Sequence, residues 1–159
     1  MRHYTATDLD YLVPLIQKNI SNSIATVQLA LKHFSSEPSG TIEVKALDWL
    51  QANSTPSSRS VSHPLARGDP IDLIIAVDCI YNPSLLQPLI DTVDYFTSPG
   101  RTKALVVVEL RASDVITDFL QIWAKKGGWT IWRIGGDGLD HPSWLDVGFA
   151  AWIGWKSSD

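Results

Sequence analysis

Three places in the chain set an acidic residue beside groups that would suit a ligand. Asp78-Cys79-Ile80-Tyr81 follows the apolar run Leu73-Ile74-Ile75-Ala76-Val77, and Asn82-Pro83 opens a helix behind it. A carboxylate and a phenol three residues apart can orient an amine or a hydroxyl and wall its approach. Asp8, in Thr7-Asp8-Leu9, and Asp48, in Asp48-Trp49, repeat the arrangement after two other extended segments. An acidic residue at the carboxyl end of a strand commonly accepts hydrogen bonds from ribose hydroxyls, and an indole beside it can cover a purine ring. Each residue also has a plainer explanation. Asp8 suits a helix N-cap, Trp49 suits a core, and Asp78 can cap its own turn with Tyr81 packed on the helix below. Glu109-Leu110-Arg111 reads as a surface ion pair of little energy, and Cys79 as a small buried hydrophobe with no basic neighbour to activate it.

Other chemistries are excluded by what the sequence lacks. There is no Gly-x-Ser-x-Gly elbow, no Walker loop and no His-Glu-x-x-His, and His3, His33, His63 and His141 have no metal-ligand spacing. Gly135-Gly136-Asp137-Gly138 has no helix after it, so it reads as a turn rather than a phosphate cradle. The 159 residues carry 13 Lys plus Arg against 17 Asp plus Glu, a net charge of −4, with 45% apolar residues. That composition suits one globular domain and argues against a coat for nucleic acid or anionic membrane. A single cysteine excludes an internal disulfide and a cysteine-rich zinc site. The first residues form no signal-peptide stretch, and the longest apolar runs fall far short of the roughly 20 residues a bilayer needs. A soluble, intracellular protein is expected, with no membrane partner and no direct nucleic-acid partner.

The candidate residues sit where strands hand over to helices. Strand character marks residues 3–7, 42–47, 72–77, 103–109, 129–134 and 147–152. The runs 73–77 and 104–108 are apolar on both faces, which places them mid-sheet in a parallel array covered by helices on both sides. Helical spacing marks residues 9–32, 83–96 and 113–126; in the last, Ser113 is a plausible N-cap and Gly127-Gly128 a stop. Strand and helix alternating in this way is an α/β domain with right-handed crossovers. The last two strands have glycines and Pro142 between them and no helix, so they pair as an antiparallel hairpin. Residues 51–70, rich in Ser and Pro, read as a long flexible loop.

Taken in order, Thr7-Asp8-Leu9, Asp48-Trp49, Asp72-Leu73-Ile74-Ile75-Ala76-Val77-Asp78-Cys79-Ile80-Tyr81 with Pro83 and Leu85, Glu109-Leu110-Arg111 and Gly154-Trp155-Lys156 resemble the seven-strand, S-adenosylmethionine-dependent protein-lysine methyltransferases of the family-16 type. Among these the sequence is most similar to the fungal enzymes that methylate ribosomal proteins. Asp78 and Tyr81, an Asp-x-x-Tyr element, are the most specific part. The family opens with a strand and a glycine-rich loop against the methionine part of the cofactor. Here no Gly-x-Gly precedes Asp8, and the first glycine is Gly40. The resemblance therefore implies a Rossmann-like methyltransferase sheet lacking its first, central strand, with residues 1–159 a partial domain. Loss of that strand would leave the strands ending at Thr7 and Val77 with unpaired edges, and so favour marginal stability or self-association.

The resemblance further implies that S-adenosylmethionine is the cofactor and a protein, ribosomal or otherwise tied to translation, the partner. Asp8 and Leu9 would meet the ribose, Asp48 and Trp49 would flank the adenine, and Ala76 and Val77 would line the cofactor cleft. Asp78 would orient the incoming lysine, and Tyr81 would wall its channel and contact its cationic form. The implied compartment is the cytoplasm, with the nucleus as the alternative. The rival of a different class is a non-catalytic remnant or partner-binding module that keeps the substrate edge without holding cofactor. A small-molecule methyltransferase is disfavoured by Asp-x-x-Tyr, and a dinucleotide-dependent oxidoreductase ranks lower for want of its glycine fingerprint.

Overall fold

Alternating strands and helices are what the chain forms. The computed structural model describes residues 3–31, 40–52, 71–111, 113–135 and 148–158. These divide into two compact units, one holding the described residues up to Asp48 and the other those from Trp49 onward.

In the first unit β1 (His3–Asp8) runs parallel to β2 (Thr41–Ala46), in register from His3 opposite Thr41 to Asp8 opposite Ala46. Parallel strands need a crossover, supplied in part by α1 (Val13–Leu31). The α-helix begins four residues later than the expected 9–32, because Asp10–Leu12 form a tighter turn closed by Leu12 N–H on the Leu9 carbonyl at 2.8 Å. Pro14 suits the first helical turn, where its missing N–H has no partner to lose. The register also gathers polar side chains that are distant in sequence. Glu43 accepts from Thr5 Oγ1 and His3 Nε2, each at 2.9 Å, and pairs with Lys45 Nζ at 2.7 Å. These hydrogen bonds, Lys45's foremost, hold the Glu43 carboxyl down at about 2.

The second unit is a four-stranded sheet of order β3-β4-β6-β5. β3 (Leu73–Val77) lies parallel to β4 (Lys103–Glu109), while β6 (Phe149–Lys156) runs antiparallel to both β4 and β5 (Trp129–Ile134). The antiparallel pairing of the last two strands is the expected one. The final strand begins later and ends later than 147–152; Gly148, at φ +89°, turns the chain into it, and neighbours on both sides extend it to Lys156. A short helix that the pattern did not announce, α2 (Trp49–Ala52), takes the first two residues of the expected 51–70 loop; the remainder of that segment lies outside the described residues.

Helices α3 (Pro83–Phe96) and α4 (Ser113–Lys125) pack against the sheet. Ala76, Ala104, Val106, Val108, Ala150 and Trp152 from the strands meet Leu86, Ile90 and Val93 from α3 and Ile116, Phe119 and Trp123 from α4 in one buried cluster. Trp123 is fully buried, with ring centroids 5.5 Å from Phe119 and 5.4 Å from Trp129. Its indole can come this close to β6 only because position 154 is glycine: a Cβ there would stand 2.4 Å from Trp123 Cζ2. Asp94 ties α3 to the far strands, accepting from Trp129 Nε1 at 2.9 Å and pairing with Lys156.

The run 73–77 departs from the expected mid-sheet position. Among the described strands β3 pairs only with β4 and so lies at an edge, in line with the unpaired edge expected for the strand ending at Val77, and Leu73, Ile75 and Val77 are 42%, 40% and 58% exposed. Only the face carrying Ile74 and Ala76 packs into the cluster. Likewise β4 is interior but mixed, parallel to one neighbour and antiparallel to the other. An apolar run on both faces shows that both faces are suited to burial; it does not show which element buries each. β1 also has a single strand partner among the described residues.

Candidate active site at the carboxyl end of the second sheet

Asp78 marks the point where β3 stops being a strand. Its N–H still donates to the Val107 carbonyl at 2.8 Å, continuing the ladder, but its own φ of +52° turns the chain out of the sheet. Aspartate is among the few residues other than glycine that adopt this left-handed conformation readily. The turn that follows is anchored inward: Cys79 Sγ donates to the Val77 carbonyl at 3.3 Å, and Ile80 is buried in the core. With 79 and 80 turned in, Asp78 and Tyr81 are left facing out, the Asp78 side chain 47% exposed and Tyr81 69%. Asp78 sits at its own turn, as the plainer explanation had it, but it does not cap the helix and Tyr81 does not pack on that helix. The cap of α3 is Asn82, whose Oδ1 accepts from Ser84 N–H at 3.1 Å with Pro83 at the first helical position, and Tyr81 is too exposed to be packing on the helix.

Across the parallel register, Val77 lies opposite Val107, which brings the end of β4 alongside Asp78. Leu110 N–H donates to the Gly148 carbonyl at 2.7 Å and Arg111 N–H to the Glu109 carbonyl at 2.9 Å, so the backbone there is tied down. The Arg111 guanidinium hydrogen-bonds the Glu109 carboxylate and stands 3.6 Å from Asp78 Oδ2. That hydrogen bond holds the Glu109 carboxyl below the usual range, and Glu109, followed by Asp78, raises Arg111. The expected surface ion pair of Glu109 and Arg111 is thus a cluster of three groups. Reading along the sequence missed its third member because Asp78 and Arg111 meet only through strand pairing; the signal was the two successive apolar runs, each ending in an acidic residue.

Of the other candidates in this unit, Ala76 and Val77 point to opposite faces. Ala76 is buried in the core and Val77 is 58% exposed. Trp49 opens α2 and packs, partly buried, against the core cluster. In the first unit, Asp8 ends β1. Its Oδ1 accepts from Leu9 N–H at 2.8 Å, and its carbonyl accepts from Leu47 N–H at 2.8 Å. The residue preceding the first helical turn is Leu9, with no side-chain cap, so Asp8 does not serve as the helix cap. Asp48 follows β2 by two residues, so both residues lie at the carboxyl end of the β1–β2 pair. Among the described residues no three His, Cys, Asp or Glu side chains gather as a metal site, and no helix is long and apolar enough to cross a membrane.

A comparison with known families matches residues 2–126 to the lysine methyltransferase family, well over half of the chain. The chain belongs to that family. Ribosomal lysine N-methyltransferase 5 of Kluyveromyces lactis is 31% identical to it over 137 residues, 74% of this chain and 41% of the yeast protein. The lysine methyltransferase sequence described here thus spans less than half the length of that relative. A solved structure from Thermobifida fusca, itself described only provisionally as a methyltransferase, covers 97% of this chain at a TM-score of 0.49 and 11% identity, matching over 63% of its own length.

Proposed function

We propose that this lysine methyltransferase chain takes a methyl group from S-adenosylmethionine to the side-chain nitrogen of a lysine in a protein, of the ribosomal or translation-related class suggested by its fungal relative. The observation that carries the reading is Asp78, held out of the sheet by its left-handed backbone with exposed Tyr81 three residues on, at the carboxyl end of a strand in a chain of this family. Ligands of open α/β sheets bind at that end.

The residues take separate parts. Asp78 accepts a hydrogen bond from the incoming ammonium and orients the nitrogen, while the Tyr81 ring walls the approach and contacts the cation. A lysine near pKa 10.4 must lose its proton before its lone pair can attack, and the outward, water-facing position of Asp78 gives that proton a path to solvent. In the first unit Asp8, with Leu9, suits the ribose of the cofactor and Asp48 its adenine; in the second, Val77 offers a side chain to the open face of β3, with Ala76 packed behind it. When bound, the sulfonium supplies an already activated methyl group, so the chain's own task is to position and desolvate the nucleophile.

A second reading, a binding module that keeps the substrate edge without turnover, is favoured by one observation: Trp49, the residue expected over adenine, packs against the core instead. Calorimetric titration of the chain with S-adenosylhomocysteine separates the two. Binding in about the micromolar range supports the enzyme, and no heat at millimolar ligand supports the module.

A further inference from the structure

The reading above gives Asp78 an incoming lysine, and the present inference rests on it. In the structure that carboxylate already faces a cation. Arg111 Nη2 stands 3.6 Å from Asp78 Oδ2 while the same nitrogen hydrogen-bonds Glu109 Oε2. We propose that Arg111 is a stand-in for the substrate ammonium, a displaceable cation that occupies Asp78 in the free protein and rests on Glu109 alone once a lysine side chain arrives.

Its two contacts are unequal. With Glu109 there is a hydrogen bond; with Asp78 there is only the longer ion pair. A shift away from Asp78 therefore breaks no hydrogen bond and leaves the guanidinium with a counter-ion. The backbone is fixed by Leu110 N–H on Gly148 and Arg111 N–H on Glu109, so the exchange needs only side-chain rotation about an anchored Cα. The side chains of Arg111 and Asp78 are 66% and 47% exposed, so water can solvate each group during the exchange and no buried charge is stranded. Guanidinium and ammonium differ in a way that suits replacement. The flat fork of arginine has a carboxylate of its own to bind, whereas a lysine ammonium is a compact point charge that Asp78 can receive beside the Tyr81 ring. The consequence is selectivity. A solitary carboxylate would attract any passing cation; one already screened by Arg111 is taken only by an ammonium that brings further contacts with it.

The test is a titration of the chain with n-butylammonium chloride, following the side-chain carboxyl carbons of Asp78 and Glu109 by NMR. Arg111→Gln binds the probe about two- to fivefold more tightly at Asp78 than the wild type does, the range that loss of an ordinary exposed ion pair produces. That gain fades at high salt, and Arg111→Lys, which keeps a competing charge, stays near the wild type. Equal or weaker binding in Arg111→Gln overturns the stand-in; weaker binding that Arg111→Lys fails to restore shows a purely structural role. If the Asp78 carbon responds in neither protein, or Asp78→Asn binds as the wild type does, the assignment of Asp78 to lysine falls as well. A response at Asp78 that is the same with and without Arg111 overturns the stand-in alone.

Discussion

Adding one methyl group at position 154 should break the second unit's core. Carbon atoms meet comfortably at about 3.5–4.0 Å, whereas a Cβ on residue 154 would stand 2.4 Å from Trp123 Cζ2 and 2.9 Å from Cη2. The indole would have to retreat by more than an ångström, yet it is fully buried and flanked by Phe119 and Trp129. Over-packing of this kind costs about 1–3 kcal/mol, and the depth of the overlap puts Gly154→Ala near the upper end. For a unit of this size a loss of about 2–3 kcal/mol lowers Tm by roughly 8–24 °C. Thermal and urea unfolding of the single and double variants with Trp123→Phe make the assay. Phenylalanine removes the ring atoms that collide, so in that background Gly154→Ala costs less than about 0.5 kcal/mol and the two changes are strongly coupled. Equal costs in both backgrounds would refute the reasoning.

Four further outcomes follow. Glu43 titrates at about 2 in the fold against 4.5 as its reference, so its depressed value contributes stability to the β1–β2 unit that is complete above pH 4.5 and is lost as pH falls through 2; urea midpoints across that window should decline, and Glu43→Gln should flatten the decline. Asn82→Ala removes the cap on Ser84 N–H and should cost about 0.5–2 kcal/mol in unfolding free energy, leaving S-adenosylhomocysteine binding unchanged. Asp94→Ala, which strands the Trp129 N–H and Lys156, should destabilise more than Asp94→Asn, which keeps an acceptor for the indole; their urea midpoints rank the two. Among the described residues β3 has one strand partner and leaves Leu73, Ile75 and Val77 exposed, which predicts concentration-dependent association in sedimentation that Ile75→Lys should suppress.

Much of the architecture was legible because its cues are local. β4 and β5 match their expected bounds, as does α3, where the Asn82-Pro83 start is written in the sequence. The 3.6-residue spacing of Val115, Ile116, Phe119 and Trp123 names the buried face of α4 directly. What escaped is whatever depends on a partner. Whether the outer face of β3 is covered is decided by elements elsewhere in the chain, and no property of Leu73 or Ile75 encodes it. The Glu43 cluster and the Asp78–Arg111 contact exist only through parallel register, which joins side chains 38 and 33 positions apart. Gly154 was visible as a glycine, but its reason is an indole on α4. At the site, the sequence left open whether Tyr81 faced out or packed on its helix, a choice settled by the turn at Asp78 and the burial of Ile80, whereas the core position of Trp49 was among its readings.

The most direct test of the central claim is transfer of labelled methyl from S-adenosylmethionine to a ribosomal-protein fraction, with lysine as the residue analysed and Asp78→Asn run beside the wild type. Asparagine tolerates the left-handed backbone at φ +52°, so the variant changes the charge and spares the turn. The account predicts label on lysine with the wild type and a loss of about 100-fold or more with the variant, while S-adenosylhomocysteine binding is little changed. Undiminished labelling by Asp78→Asn, or no labelling by a chain that binds the cofactor, would contradict it.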